Sequence, residues 1–225
     1  MDWSDFYAQQ AGRSVRPTFA AALEVWRASD GVAGGESTDP SGGGDAAGDP
    51  SGVVGDAVDL GCGDGVESRA LLSAGFRVLA VDSDEHVVER VTAGVDEAES
   101  ARLTVRRASF AELAPADGPV ALPAADLVYA GFALPFCAPE VFERLWAGIR
   151  SSLRPAGLFA GQLFGPHDDF AAWPDVNTHD RADVERLLAG LDVLELQEED
   201  RDGKSFAGPK HWHVFHIIAR RSRSA

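Results

Sequence analysis

Val58-Asp59-Leu60-Gly61-Cys62-Gly63-Asp64-Gly65 is the stretch whose reading decides the fold. A short apolar strand runs into three glycines at alternate positions. Glycines directly after a first strand let the backbone turn tightly and approach a ligand that side chains would exclude. A dinucleotide fingerprint requires G-x-G-x-x-G, whereas the third glycine here is Gly65 and position 66 is Val66. Asp59 stands two places before the first glycine. A pyrophosphate would be repelled there, and a cationic ligand would not.

Outward from this turn the pattern alternates strand and helix. Downstream, Ser68–Ala74 reads as helix, Phe76–Val81 as a second strand and Asp84–Ala93 as a second helix. Leu103-Thr104-Val105 and Asp126–Tyr129 are a third and a fourth strand. Phe142, Leu145, Trp146, Ile149 and Leu153 recur at helical spacing and stop at Pro155-Ala156-Gly157. Leu158–Phe164 is a fifth strand, and Asp180 caps a helix ending near Gly190. Val193–Gln197 and Trp212–Ala219 close the chain as strands six and seven. Such alternation predicts an α/β fold with a mainly parallel sheet covered on both faces. Upstream, Phe19, Ala22, Leu23 and Trp26 form one helical stripe, while Trp3, Phe6 and Tyr7 suit a shorter helix or a lid. Residues 30–55 are rich in Gly, Pro and Ser and carry Asp30, Glu36, Asp39, Asp45 and Asp49 with no basic residue. The chain therefore divides into an N-terminal helical segment (1–29), a flexible acidic linker (30–55) and one catalytic-sized domain (56–225).

The 225 residues, 45% apolar and 25% charged, are ordinary for one globular domain. The balance of 20 basic against 36 acidic residues gives a net charge of -16. Such a surface repels phosphate backbones and anionic headgroups, so neither nucleic acid nor membrane is an expected partner. Cys62 and Cys137 are far apart and lack metal-type spacing, which favours a reducing compartment. Met1–Asp5 has no basic or apolar signal region and no apolar run is long enough to span a bilayer, so the expected address is the cytoplasm. Oligomeric state has no signal in the sequence.

An acidic residue followed by G-x-G-x-G resembles the first motif of the class I S-adenosylmethionine-dependent methyltransferases. The resemblance continues in order from about residue 56 to 219. It implies a Rossmann-like sheet of seven strands, mostly parallel with strand seven antiparallel, and helices on both faces. It also implies S-adenosyl-L-methionine as cofactor, bound by Asp59, Gly61, Cys62, Gly63 and Gly65. Asp82, with Ser83 after it, falls where the family places a carboxylate on the ribose hydroxyls. Ser109 and Phe110 follow strand three, where the family holds the adenine, although an acidic residue is often found there. Tyr129 lies near the methionine part and the methyl group. Arg13 or Arg16 can fold over the site to meet the methionine carboxylate, and Arg16 is the stronger candidate. The chain is similar to small, single-domain enzymes of the tellurite-resistance type, which implies a small-molecule methyl acceptor. Tyr129-Ala130-Gly131-Phe132 contains no Asn-Pro-Pro-Tyr-like element, which disfavours the nucleobase and glutamine branches.

A hydroxyl acceptor needs a general base, whereas an amine or thiolate does not. His211 and His167 are the candidates, with Tyr129 as a third catalytic residue that holds the cation by its ring face. A loop from Asp202 to Pro209 is expected to roof the acceptor. His211 and His213 share one strand face and suit a metal, but no third ligand is in register, so no metal is expected. His216 reads as a satisfied core residue. Two other functions stay open on sequence: an NAD(P)-dependent oxidoreductase, and a non-catalytic module that binds the cofactor without turnover.

Overall fold

The structure is a computed structural model that describes residues 12–33, 53–205 and 208–223. Among these residues the strands are β1 (Asp56–Leu60), β2 (Arg77–Asp82), β3 (Leu103–Arg107), β4 (Ala125–Ala130), β5 (Leu153–Phe164), β6 (Leu191–Ser205) and β7 (Gly208–Arg221). The helices are α1 (Pro17–Ala33), α2 (Val66–Ser73), α3 (Val87–Thr92), α4 (Glu97–Ser100), α5 (Phe110–Leu113), α6 (Pro139–Ser152) and α7 (Arg181–Leu187). The strands form one sheet in the order β3-β2-β1-β4-β5-β7-β6. The first five are parallel, and β7 runs antiparallel to both β5 and β6.

Each face of the sheet carries its own apolar layer. Ala57, Leu127 and Tyr129 meet Phe19, Leu71, Leu72, Val87 and Val91 from α1, α2 and α3. Val58, Leu60, Val128 and Ala130 point the other way, onto Phe142, Leu145, Trp146 and Ile149 of α6 and Val184 and Leu187 of α7. The period of two along each strand thus sends successive side chains into opposite layers. Proline at the first position of α6 fits the helix start, and the four buried residues named on it are those of the predicted stripe. The buried indole of Trp146 donates to the Leu187 carbonyl at 3.0 Å, which ties α6 to α7.

Strand order reverses between β1 and β4, and a crevice opens beyond the carboxyl ends of such strands. The segments after β1, β2, β3, β4 and β5 all lie along this edge. Three sequence expectations change. α1 continues to Ala33, past the expected boundary at 29, while residues 34–52 and Trp3, Phe6 and Tyr7 lie outside the described residues. β5 starts at Leu153, and Pro155-Ala156-Gly157 forms a bulge in it with Ala156 at φ 67°. The expected 202–209 loop is instead paired: Asp202 faces His211, and the ladder continues to Ser205 and Gly208.

Candidate active site

The turn after β1 is built on left-handed backbone, with φ of 67° at Gly61, 54° at Gly63 and 72° at Gly65. Gly61 is dictated twice, because a Cβ there would stand 2.3 Å from the Ala133 Cβ. The amides of Gly61 and Cys62 both donate to the Val81 carbonyl, at 2.8 and 3.1 Å, and lock the turn against the end of β2. Asp82 completes the lock. Its Oδ2 accepts from the Gly63 amide at 2.9 Å and its Oδ1 from the Asp84 amide at 2.9 Å. Its carboxylate is nonetheless part of a cavity wall.

That cavity has a volume of about 690 Å³ and runs along the carboxyl edge of the sheet. The predicted cofactor residues Asp59, Gly61, Cys62, Gly63, Asp82, Ser83, Ser109, Phe110, Tyr129 and Arg16 all line it. Gly65 does not; it is buried behind the turn, where a Cβ would press on Val91 at 3.0 Å. Ser109 has a local task as well, since it caps α5 in a reciprocal box with Glu112.

Four carboxylates, Asp59, Asp64, Glu67 and Asp82, stand against two guanidinium groups, Arg13 and Arg16, in this half of the wall. Asp59 is 2% exposed and accepts from the Ser68 hydroxyl at 2.6 Å. Burial, then the charge of Glu67, push its carboxyl up to about 7. Glu67 is also buried, which works against its charge, but two hydrogen bonds from Arg13 outweigh that and hold its carboxyl below the ordinary range. Arg13 reaches Asp64 as well, at 3.1 Å, and the Arg16 amide donates to Glu67. The segment before α1 is therefore fastened directly to the glycine turn. Sequence reading missed Asp64 and Glu67 as partners of Arg13; their positions in the turn and first turn of α2 were the available signal.

Two buried polar atoms in this wall have no partner among the described residues: Asp64 Oδ2 and the Tyr129 hydroxyl. Such atoms cost free energy unless a ligand or solvent meets them. Tyr129 packs its ring edge-on to Phe19, with centroids 5.1 Å apart. Burial holds its phenol well above the usual range, so it stays protonated and donates rather than serving as a base.

The other half of the cavity is aromatic. Phe132, Phe136, Phe164, Phe170 and Trp212 line it, with Cys137, Lys204 and Ser205. Phe132 sits in left-handed backbone (φ 55°), and its amide donates to Gln162 Oε1 at 3.1 Å. Gln162 in turn donates to the Thr18 hydroxyl at 2.8 Å. Arg16 lies 5.0 Å from the Phe132 ring centroid, at the junction of the two halves.

The histidines fall elsewhere. On β7 the even-numbered Trp212 faces the cavity, so His211 and His213 turn to the opposite side. His211 contacts Asp202 and Asp200 through its two ring nitrogens, at 2.8 and 2.6 Å. Those two hydrogen bonds raise its pKa. His167 is exposed and contacts the other oxygen of Asp200 at 2.9 Å. Neither histidine lines the cavity, which removes both from the position expected of a general base. Ligand-type atoms of His167, Asp200 and His213 lie within 4.8 Å of one another, a group that does not include His211 of the expected pair. His213 already accepts from the His167 amide and meets Glu198 at 3.0 Å through its other nitrogen. His216 is satisfied between Thr18 and Glu199, as a core residue would be.

The comparisons with known proteins agree with this geometry. A family model described as a methyltransferase domain matches residues 57–157. No curated protein matches the chain by sequence. Among solved structures, TehB from Haemophilus influenzae superposes with a TM-score of 0.63 at 16% identity, covering 75% of this chain and 58% of that one. The 1,6-didemethyltoxoflavin-N1-methyltransferase of Burkholderia thailandensis gives 0.58 at 20% identity, covering 92% and 79%. Magnesium protoporphyrin IX methyltransferase from Synechocystis gives 0.59 at 16%, covering 97% and 92%. At these identities the likeness is one of fold. The family match marks residues 57–157 as similar to a methyltransferase domain, and the solved structures share the fold of the sheet that carries the site.

Proposed function

We propose that this protein transfers a methyl group from S-adenosyl-L-methionine to a small molecule held in the aromatic half of the cavity. The observation that carries this reading is the charge of the glycine-turn half: four carboxylates and two guanidinium groups around a backbone cradle. That excess of negative charge favours a cationic nucleoside over a pyrophosphate. S-adenosylmethionine, when bound, supplies an electrophilic methyl group on a positively charged sulfur.

Each cofactor contact has a candidate on this wall. Asp82 offers its remaining lone pairs to ribose hydroxyls. Asp64 Oδ2, buried and unpartnered, suits an ammonium group. Arg16, whose guanidinium rests on Phe132 at the junction, suits a carboxylate. Ser83, Ser109 and Phe110 border the space for the adenine. Tyr129 keeps its proton and presents a hydroxyl and a ring edge near the junction, where orientation of the reacting groups matters most.

No imidazole or carboxylate lines the aromatic half among the described residues. The Cys137 thiol is pushed up to about 12, chiefly by burial, and is unsuited to accept a proton near neutrality. The reading therefore favours an acceptor whose nucleophile carries its own lone pair without help from a base, such as an amine or ring nitrogen. The Burkholderia neighbour, crystallised with 1,6-didemethyltoxoflavin and S-adenosylhomocysteine, supports a small-molecule acceptor. The net charge of -16 supports the absence of nucleic-acid and membrane partners, and no helix of the described residues is long and apolar enough to cross a membrane. Both cysteines are free, which suits the cytoplasm.

Thermal shift with S-adenosylhomocysteine and with NAD tests the reading. Stabilisation by the former alone is expected, because anything that binds the native state alone raises the midpoint. Stabilisation by NAD alone would reassign the chain to the oxidoreductases. Cofactor binding without turnover on any acceptor would make it a binding module.

A further inference from the structure

The aromatic half of the cavity has a feature that generic apolar packing does not require. Behind its rings lies a buried ion pair, Lys210 with Asp168, whose side chains are 2% and 0% exposed. The Lys210 ammonium stands 3.7 Å from the Trp212 ring centroid, 4.3 Å from that of Phe170 and 5.1 Å from that of Phe164. Lys210 itself is absent from the cavity wall, while all three rings belong to it. Burial lowers the pKa of this ammonium, and Asp168 opposes that. Asp168 is fixed independently: it accepts from the amides of Phe170 at 2.9 Å and His213 at 3.1 Å.

A cation on a ring draws π density toward itself and leaves the rest of the ring poorer in electrons. Aromatic pairs prefer offset or edge contacts that bring electron-rich and electron-poor regions together. A wall polarised by a rear cation is thus matched to a planar partner rich in π electrons. Phe132, held in strained backbone by Gln162, packs onto the same wall, edge-on to Trp212 at 6.1 Å and tilted against Phe164 at 6.2 Å, centroid to centroid.

We propose that this half of the cavity is a stacking site for a planar, electron-rich aromatic or heteroaromatic acceptor, laid against the continuous wall that Trp212, Phe132, Phe164 and Phe170 form. The identification of the occupant as the methyl acceptor rests on the function proposed above; the stacking site itself does not. Lys204, at the rim, adds one positive charge for an acidic ring substituent.

The test uses 2-naphthol and its saturated counterpart decahydro-2-naphthol, which share a hydroxyl and a carbon frame but differ in π density. Their binding to the full chain is measured by calorimetry, with and without saturating S-adenosylhomocysteine. The expected result is at least tenfold tighter binding of 2-naphthol in either condition. Trp212→Leu, a volume-reducing but apolar change, is expected to cut that preference at least threefold. In that variant, unchanged thermal unfolding and circular dichroism report an intact fold. Equal affinities, a preference for the saturated compound, or no binding of either at millimolar concentration would overturn the stacking site. Should 2-naphthol bind as expected while S-adenosylhomocysteine does not, the proposed function fails and the stacking site stands.

Discussion

Asp59 and Asp82 are both carboxylates beside the glycine turn, yet their surroundings assign them different work. Asp59 is enclosed with Glu67 nearby and is pushed up to about 7. An acid raised from 3.8 to about 7 keeps its proton in the folded state while the unfolded chain has lost it. Stability from this group is therefore complete below pH 4 and declines as pH rises toward 7. The span of about three pKa units corresponds to about 4 kcal/mol at 1.36 kcal/mol per unit. Asp59→Asn keeps an acceptor for the Ser68 hydroxyl and has no such titration. Denaturant unfolding of both proteins at pH 4.5 and 7.5 is expected to give a steeper loss in the wild type; parallel pH dependence would contradict the assignment. Asp82, by contrast, holds two backbone amides and keeps an oxygen surface on the cavity. Asp82→Ala is expected to weaken S-adenosylhomocysteine binding at least tenfold, about 1.4 kcal/mol or more. Unchanged affinity by calorimetry would remove Asp82 from the site.

Among the elements, the β1–turn–α2 unit sets the site, and it was the most legible part of the sequence. Its strand carries Ala57, Val58 and Leu60 into the core, its glycines fall at the three left-handed positions of the turn, and its helix follows at once. Gly61→Ala is the corresponding test. A side chain in left-handed backbone costs about 1–2 kcal/mol, and the contact with Ala133 adds to it. The melting midpoint is expected to fall by roughly 2–8 °C, with loss of cofactor affinity. A midpoint and affinity equal to those of the wild type would mean that the turn is not built as described. Other elements were read less well, for physical reasons. Beyond Gln197, β6 is polar on both faces because it is an edge strand covered only by water, so no alternation marked it. Its charges suit an edge that must not pair with another chain. The bulge at Pro155–Gly157 hid the start of β5, since Pro and Gly there looked like a helix terminator. His211 and His167 were placed by the end of the strand on which they lie and not by the face; one residue of parity separates Trp212, in the cavity, from His211, outside it.

Across the whole molecule, two separate layers of packing support one functional edge. The layer with α1, α2 and α3 carries the segment that fastens Arg13 to Glu67 and so closes one side of the glycine turn. A small third cluster, centred on Phe164, Phe170 and Val214, builds the aromatic half from residues distant in sequence. That dispersal explains why the acceptor wall was not legible in the sequence: its rings come from the ends of β4, β5 and β7, with no local spacing to reveal them. The half around the glycine turn comes from short segments at successive strand ends, such as residues 59–67, 82–83 and 108–111, whose places follow from the strand pattern in the sequence. The central claim is that residues 61–65 cradle a cationic sulfur nucleoside, with its ribose on Asp82 and the acceptor beyond it among the rings. A crystal structure of the full chain with S-adenosylhomocysteine tests this most directly. The account predicts density for the nucleoside over the turn, with ribose hydroxyls within hydrogen-bond reach of Asp82 and sulfur directed toward Phe132 and Tyr129; a nucleoside bound anywhere else would contradict it.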